Sequence, residues 1–394
     1  MKLLLLSDLE SSHTYKWAES LARRGISVCV VGMGAVYDPQ VYSGRSNIIV
    51  RSLGVDSSTI GKMVGNVTKL SYLMKLPLVK REIKAFEPDI VHAHFASSYG
   101  VLGSLSNFHP LIVSVWGSDV FDFPEISPLH RALLRFNLSR ADRVLSTSVI
   151  MATRTSSFTR KPVEVTPFGV DIQRFSPMTR VAHPGIVVGT VKTLEPKYGV
   201  EYLLHAFKVV SERNPQLTLN LLVVGGGSQQ EQLETLAARL KIQETVTFTG
   251  HVPYREIARC HNMIDISVFT STSEAFGVAA VEASACGNPV VASDVGGLPE
   301  IVEHGVTGFI VPPRDPRKTA DAIEKLVLDS SLRACMGSAG RQRVKKLFNW
   351  DDSVSRMIEI YDSTLPPLGV APVQHKSASQ LRSKKIRCDW NENL

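Results

Sequence analysis

The chain has 394 residues, 44% of them apolar and 21% charged, with a formal net charge of +7. That length exceeds what one hydrophobic core fills, so two domains are expected, and the composition is that of a globular protein rather than a disordered one. Five scattered cysteines without a CxxC pair support neither a disulfide framework nor a zinc site, and they point to a reducing compartment.

The opening "MKLLLLSD" is too short for a signal peptide and reads as a first buried strand. No stretch approaches the ~18 apolar residues that a membrane span needs. In the first half, strands are expected at Leu3–Leu6, Ser27–Val31, Asn47–Arg51, Asp89–Ala93, Leu111–Val115 and Arg143–Ser146. Helical patterns lie between them, such as "TYKWAESLARR", closed by Gly25. Around "KPVEVTPFGVDIQRFSP" this alternation gives way to Pro, Gly and polar residues, and the boundary is set just after it, near 180–184. Strands resume in "GIVVGTVKTL", "LTLNLLVVGGG", "TVTFTG", "IDISVFTS", "NPVVAS" and "GFIVPP". The chain then turns helical to about Leu347, and "WDDSVSRMIEIYDS" makes one more amphipathic helix before Pro366 and Pro367.

This pattern predicts an α/β protein of two doubly wound, Rossmann-like domains facing each other across a cleft. Residues 1–180 would form the first domain and 181–347 the second. Residues 348–365 would form a C-terminal helix, and 366–394 a polar tail. The tail carries five Lys and Arg against two carboxylates, a net +3, which leaves the body only mildly basic at +4. No basic stripe with interleaved aromatics is found, so nucleic acid is not an expected partner.

The segment "SEAFGVAAVEASACGNPVVAS" places Glu274 and Glu282 eight residues apart between two strand signals. A loop-to-helix transition is expected at about Ser273–Gly277, at a strand's carboxyl end, where ligands bind in open parallel sheets. Free amides and a positive dipole end suit phosphate or sugar hydroxyls there, and Gly277 lets a ligand approach the backbone. Glu274 could accept from a sugar and Glu282, roughly 12 Å further along a helix, from a ribose. Alternatively, Glu274 only stabilises the helix start, by about 0.3–1 kcal/mol. Glu282, among four alanines, needs some partner if buried.

The block "STSEAFGVAAVEASACGNPVVASDVGGLPEIVEHGVTGFIVPPRD" closely resembles the nucleotide-sugar signature of retaining glycosyltransferases of family four, which have the GT-B fold. Weaker similarity runs through "VTPFGVDIQRFSP", "LLVVGGGSQQEQL" and "FTGHVP". The resemblance implies that Glu274 contacts the donor sugar and Glu282 the ribose, with the amides of Ala275, Phe276 and Gly277 seating the sugar. It implies no metal and no cofactor beyond a nucleotide-diphosphate sugar as donor substrate. It also implies that the C-terminal helix crosses back onto the first domain.

A diphosphate leaving group needs cations and helix-end amides. The family usually supplies an Arg and a Lys five residues apart after the first strand of the second domain. Here "GTVKTLEPKYG" offers Lys192 and Lys197, five apart, although strict alignment on the glycine falls on Thr193 and Tyr198. Lys197 is the first expectation and Lys192 the second. Gly225 and Gly227 of "VVGGGS" occupy the turn that the family uses beside the nucleotide.

In "VSVWGSDVF", Trp116 stands where many relatives carry a histidine near the reacting centre. Asp119 follows in a short polar loop and is a candidate catalytic carboxylate, or else a cap for the next segment. The first loop, "SDLESSHTYKW", has no glycine, so Ser12 and His13 are candidates for phosphate or acceptor contact. That loop also argues against a nicotinamide dehydrogenase, which would need a GxGxxG there. His92 and His94 alternate at a strand end without a nearby third ligand, so buried hydrogen-bonded histidines are expected rather than a metal pair.

The resemblance implies transfer of a hexose to a glycan or lipid-linked acceptor with retained configuration, in surface polysaccharide, lipopolysaccharide or capsule biosynthesis. Location in the cytoplasm, peripheral at the inner face of the membrane, fits that activity. The stretch "KMVGNVTKLSYLMKLPLVKREIKAF" is basic and amphipathic and could lie on anionic lipid, or be an ordinary surface helix. A non-catalytic nucleotide-sugar-binding subunit, a sugar-nucleotide epimerase and a phosphorylase of the same fold stay open as alternatives.

Overall fold

The computed structural model describes residues 1–34, 42, 45–55, 73–179 and 184–365. The boundary expected near 180–184, residues 62–72 of the basic stretch and the whole 366–394 tail lie wholly or mostly outside the described residues.

Seven strands form the first sheet: β1 Lys2–Leu6, β2 Ser27–Gly32, β3 Ile48–Ser52, β4 Ile90–His94, β5 Leu111–Val115, β6 Arg143–Ser146 and β7 Val163–Val165. They are all parallel, in the order β3-β2-β1-β4-β5-β6-β7. Six form the second: β8 Ile186–Val191, β9 Leu219–Val224, β10 Val246–Phe248, β11 Ile266–Phe269, β12 Val290–Ser293 and β13 Gly308–Val311. Their order is β10-β9-β8-β11-β12-β13, again all parallel. Both sheets change direction beside their first strand, which opens a crevice at the carboxyl ends.

Strand β1 shows why continuous apolar runs make these sheets. Leu3, Leu4, Leu5 and Leu6 are all fully buried, because helices cover both faces of a parallel sheet. Leu4 and Leu6 join one core layer with Val91 and Val113. Leu3 and Leu5 join the other with Trp17 and Tyr361. The expected strands are all present. Strand β7 was not anticipated: it is a three-residue, half-buried edge strand between Pro162 and Pro167, where Pro is tolerated.

The chain crosses between the sheets twice, and the crossings bind each other. Val170 N–H donates to Phe348 O at 2.8 Å, and Trp350 N–H donates to Val170 O at 3.0 Å. The helix Trp350–Thr364 then packs on the first domain. The Trp350 ring lies 4.5 Å from that of Trp17, and its Nε1 donates to Ser20 Oγ at 2.8 Å. Between the two domains, the Glu300 carboxylate accepts from the backbone of Val149 and Ile150, each at 2.8 Å. It thereby caps the start of the first-domain helix Val149–Ser156. No helix among the described residues is long and apolar enough to cross a membrane.

Candidate active site

A cleft of about 860 Å³ runs between the two sheets. On the second-domain side, β11 ends at Phe269 and the chain loops to Gly277, where the helix Val278–Ala285 begins. Gly277 has φ +108, and a side chain there would meet Leu298 Cδ2 at 2.8 Å. Gly296, in "GGLPEIV", lies so close to this loop that a Cβ would stand 1.5 Å from Glu274 O. Glu274, Ala275, Phe276 and Gly277 lie in the loop before this helix, and Glu282 lies inside it. The 1.5 Å rise therefore does not apply across the whole span, and the expected 12 Å is corrected accordingly.

Lys192, just past the end of β8, donates from Nζ to Glu274 Oε2 at 2.6 Å. Its ammonium also lies 4.2 Å from the Tyr198 ring centre. Lys197 approaches the same ring at 5.0 Å and lines the cleft, so the two lysines converge on one wall. Ala275, Phe276, Gly277 and Gly225 line it as well. Gly227 does not. It packs on the Leu194 backbone, where a Cβ would meet Leu194 O at 2.4 Å, so its expected donor contact is replaced by a packing role.

Glu282 also faces the cleft but is only 5% exposed. Its partners are Tyr254, whose hydroxyl donates to Oε1 at 3.4 Å, and His261, whose Nε2 lies 3.6 Å from Oε2. The sequence indicated that this carboxylate needs a partner. It gave no signal for these two, which come from a helix more than twenty residues upstream.

On the first-domain side, Ser12 and His13 at the start of the helix Ser12–Arg23 line the cleft. The His13 ring stacks on Phe168 at 4.5 Å, with Trp116 edge-on at 6.1 Å. Burial, reinforced by Lys16 and opposed by Glu282, lowers the His13 pKa to about 4. The ring is therefore neutral at neutral pH. Trp116 covers His94 at 4.3 Å between centroids. Phe95 has φ +68 and opens a π-helical turn, Phe95–Tyr99, a backbone arrangement that gathers at functional sites.

Asp119 is corrected. It is fully buried and does not line the cleft. Its carboxylate accepts from the backbone N–H groups of Ala96 at 2.8 Å, Gly117 at 2.8 Å and Trp116 at 3.1 Å. It ties two loops together beneath the cleft wall. His92 and His94 are buried. His92 lies 2.8 Å from Tyr361 Oη and 2.7 Å from Ser114 Oγ, and His94 Nδ1 lies 2.8 Å from Ser7 Oγ. No metal-holding cluster of three His, Cys, Asp or Glu occurs among the described residues.

The family model described as glycosyl transferases group 1 matches residues 172–343, and that described as glycosyl transferase 4-like matches residues 2–148. The chain belongs to the group 1, family-four glycosyltransferases. A D-inositol 3-phosphate glycosyltransferase of Corynebacterium jeikeium is 37% identical over 223 residues, 52% of this chain and 53% of that protein. One from Nocardia farcinica is 28% identical over 392 residues, 90% of this chain and 84% of that protein. The stronger of these two matches thus spans about half the length of the relative concerned. Among solved structures, the sucrose-phosphate synthase of Thermosynechococcus elongatus superposes with a TM-score of 0.77 at 22% identity, covering 92% of this chain and 98% of its own. Anabaena HepE, solved in complex with UDP, gives 0.75 at 21%, covering 92% and 100%. The fold of this chain is GT-B.

Proposed function

We propose that this glycosyltransferase moves a hexosyl group from a nucleoside diphosphate sugar to a hydroxyl of a glycan or lipid-linked acceptor, with the anomeric configuration retained. The observation that carries the reading is the Lys192–Glu274 pair on the same wall as Glu282. It sets a cation for the diphosphate beside a carboxylate for the sugar, with a second carboxylate further along for the ribose. One structural neighbour of the same fold supports a uracil nucleotide as a first candidate, since Anabaena HepE was solved with UDP and with UDP-glucose.

In this reading, Lys192, Lys197 and the amides of Ala275 to Gly277 take up the charge that develops on the departing diphosphate. The bond from the anomeric carbon to the diphosphate oxygen breaks and a bond to the acceptor oxygen forms on the same face. The acceptor proton passes to the diphosphate oxygen. No protein nucleophile, metal or organic cofactor takes part, and positioning within the closing cleft supplies most of the acceleration.

The acceptor would lie on the first-domain wall. Asp8 and Asp122 offer carboxylates there, and Phe95, Trp116 and Phe121 offer rings. Carboxylates accept from hydroxyls and aromatic faces cover C–H surfaces, which suits a polyhydroxylated ring. The names of the Corynebacterium and Nocardia relatives make inositol 3-phosphate an acceptor to include beside neutral glycans. Lipid-linked acceptors of surface polysaccharides would place the protein at the inner face of the membrane. The exposed Met74, Lys80, Arg81 and Lys84 beside or on the helix Leu76–Phe86 support that location.

The test is calorimetry and nucleoside diphosphate release over a panel of UDP-, GDP- and ADP-sugars, with Glu282→Ala as control. Selective binding of one donor with slow release of its diphosphate, both lost in the variant, is expected. Absence of binding to every donor at millimolar concentration, with and without lipid extract, would sink the reading.

A further inference from the structure

The inference drawn here rests on the reading that Glu282 meets the ribose of the donor. Tyr254 and His261 lie seven residues apart on the helix Tyr254–Asn262, two turns apart on one face. That face packs against the helix Val278–Ala285, which carries Glu282. The two side chains reach different oxygens of one carboxylate: Tyr254 donates to Oε1 at 3.4 Å, while His261 Nε2 stands 3.6 Å from Oε2.

The second contact is incomplete, because 3.6 Å is beyond hydrogen-bonding distance. The His261 side chain is nonetheless 0% exposed, and neither ring nitrogen has a hydrogen-bond partner among the described protein atoms. A polar ring buried in that state is unfavourable unless something completes it. The imidazole is held in place from behind. Phe175 packs edge-on at 6.2 Å, and Asn288 Nδ2 donates to the His261 carbonyl at 2.7 Å. A shift of the carboxylate by roughly 0.6 Å closes the gap. Tyr254 belongs to the cleft wall, whereas His261 lies behind it.

We propose that His261 is a positioning residue for donor recognition, fixing the Glu282 carboxylate from behind so that its free lone pairs face the two ribose hydroxyls. Donor binding draws Oε2 onto Nε2–H, and Tyr254 holds the other oxygen. The carboxylate then stands in the one orientation that accepts from both hydroxyls at once. His261 touches no substrate atom. Its effect is confined to how well the site tells a ribose from a sugar lacking those hydroxyls.

The experiment compares, by calorimetry, the nucleoside diphosphate of the best-binding donor in the panel with its 2′,3′-dideoxy counterpart. Wild type should prefer the ribonucleotide by about tenfold or more, the scale on which hydrogen bonds to a charged group discriminate. His261→Phe should reduce that preference about fivefold or more while leaving the affinity for the dideoxy compound within twofold. His261→Gln, which keeps a donor of similar reach, should retain most of it. His261→Asn, polar but too short, should lose it as Phe does, and serves if the Phe variant does not fold. Full preference in a folded Phe or Asn variant overturns the role of His261. Equal binding of the two compounds by wild type removes Glu282 from the ribose, and this proposal with it.

Discussion

Lys192 and Glu274 hold each other at 2.6 Å with side chains only 13% and 10% exposed, so the cation and the carboxylate of the donor wall neutralise one another before any donor arrives. An ion pair that far from water is costly to break from one side only, because the survivor keeps its charge without a partner. Lys192→Met should therefore destabilise the fold by about 2–4 kcal/mol. It should also lower diphosphate release by about 100-fold, the usual loss on removing one charge-stabilising donor. The double variant Lys192→Met/Glu274→Gln should recover much of the stability and none of the activity. Urea unfolding and release assays on wild type, Lys192→Met, Glu274→Gln and the double variant check this. Additive stability losses would mean that the pair is not coupled.

A second expectation concerns acid. Burial lowers His13 to about 4, His92 to about 3 and His94 well below 6.5, so all three are neutral in the fold at pH 5. Unfolded, each would be protonated there, so the unfolded chain binds more protons and stability rises with pH. The contribution is complete above 6.5 and is lost as pH falls from about 6.5 towards 3–4. Each histidine adds up to about 1.4 kcal/mol per pH unit. Burial raises Asp119, which works in the opposite sense at the acid end. Urea midpoints should fall steeply between pH 6.5 and 4.5. In His92→Gln the slope should be shallower by about one proton, and an unchanged slope would contradict a neutral buried His92.

Trp116 should act on the acceptor rather than on the donor. It packs on His94 and stands edge-on to Phe168, whose other neighbours include His13 and Phe276. It belongs to the first domain and lines the same cleft as Lys192 and Glu274. Trp116→Ala should raise the acceptor KM about tenfold or more, as loss of a stacking face does on the scale of 1–3 kcal/mol. Donor affinity should stay within about twofold, and Trp116→Phe should keep most of the activity. A donor affinity that falls in step with the acceptor KM would place Trp116 in nucleotide binding instead.

How much of this was legible in the sequence depended on the kind of interaction. Strands such as Leu3–Leu6 announced themselves because a parallel sheet buries both faces and leaves an unbroken apolar run. The loop-to-helix step before Val278 was legible for the same reason, being bracketed by two such runs. The strand Val163–Val165 was not, since three half-buried residues between prolines carry little periodicity. The cleft residues Glu274, Lys192 and Lys197 could be read because their chemistry is carried on short contiguous motifs. Tyr254 and His261 could not, because only tertiary packing of one helix on another brings them to Glu282. The π-helical turn after His94 likewise depends on the loop that Asp119 ties down, not on local propensity.

Asp119 illustrates how a carboxylate in a site-like loop can be structural, and it gives the sharpest test of that distinction. Its oxygens accept from Ala96, Trp116 and Gly117, and burial raises its pKa even though those bonds pull the other way. Asp119→Ala would leave three buried N–H groups without an acceptor, at a cost of about 3 kcal/mol or more. Asp119→Asn keeps one oxygen for Trp116 and Gly117 and turns an amide towards Ala96, so it should lose about half as much. If the residue only holds the wall, the Asn variant should turn over within about tenfold of wild type, with the acceptor KM shifting more than donor affinity. Were it a general base, loss of the carboxylate would silence both variants alike, typically by 10²–10⁴-fold. Unfolding curves beside steady-state rates for the pair decide it, because an Asn variant that is stable yet as inactive as Ala returns Asp119 to the chemistry.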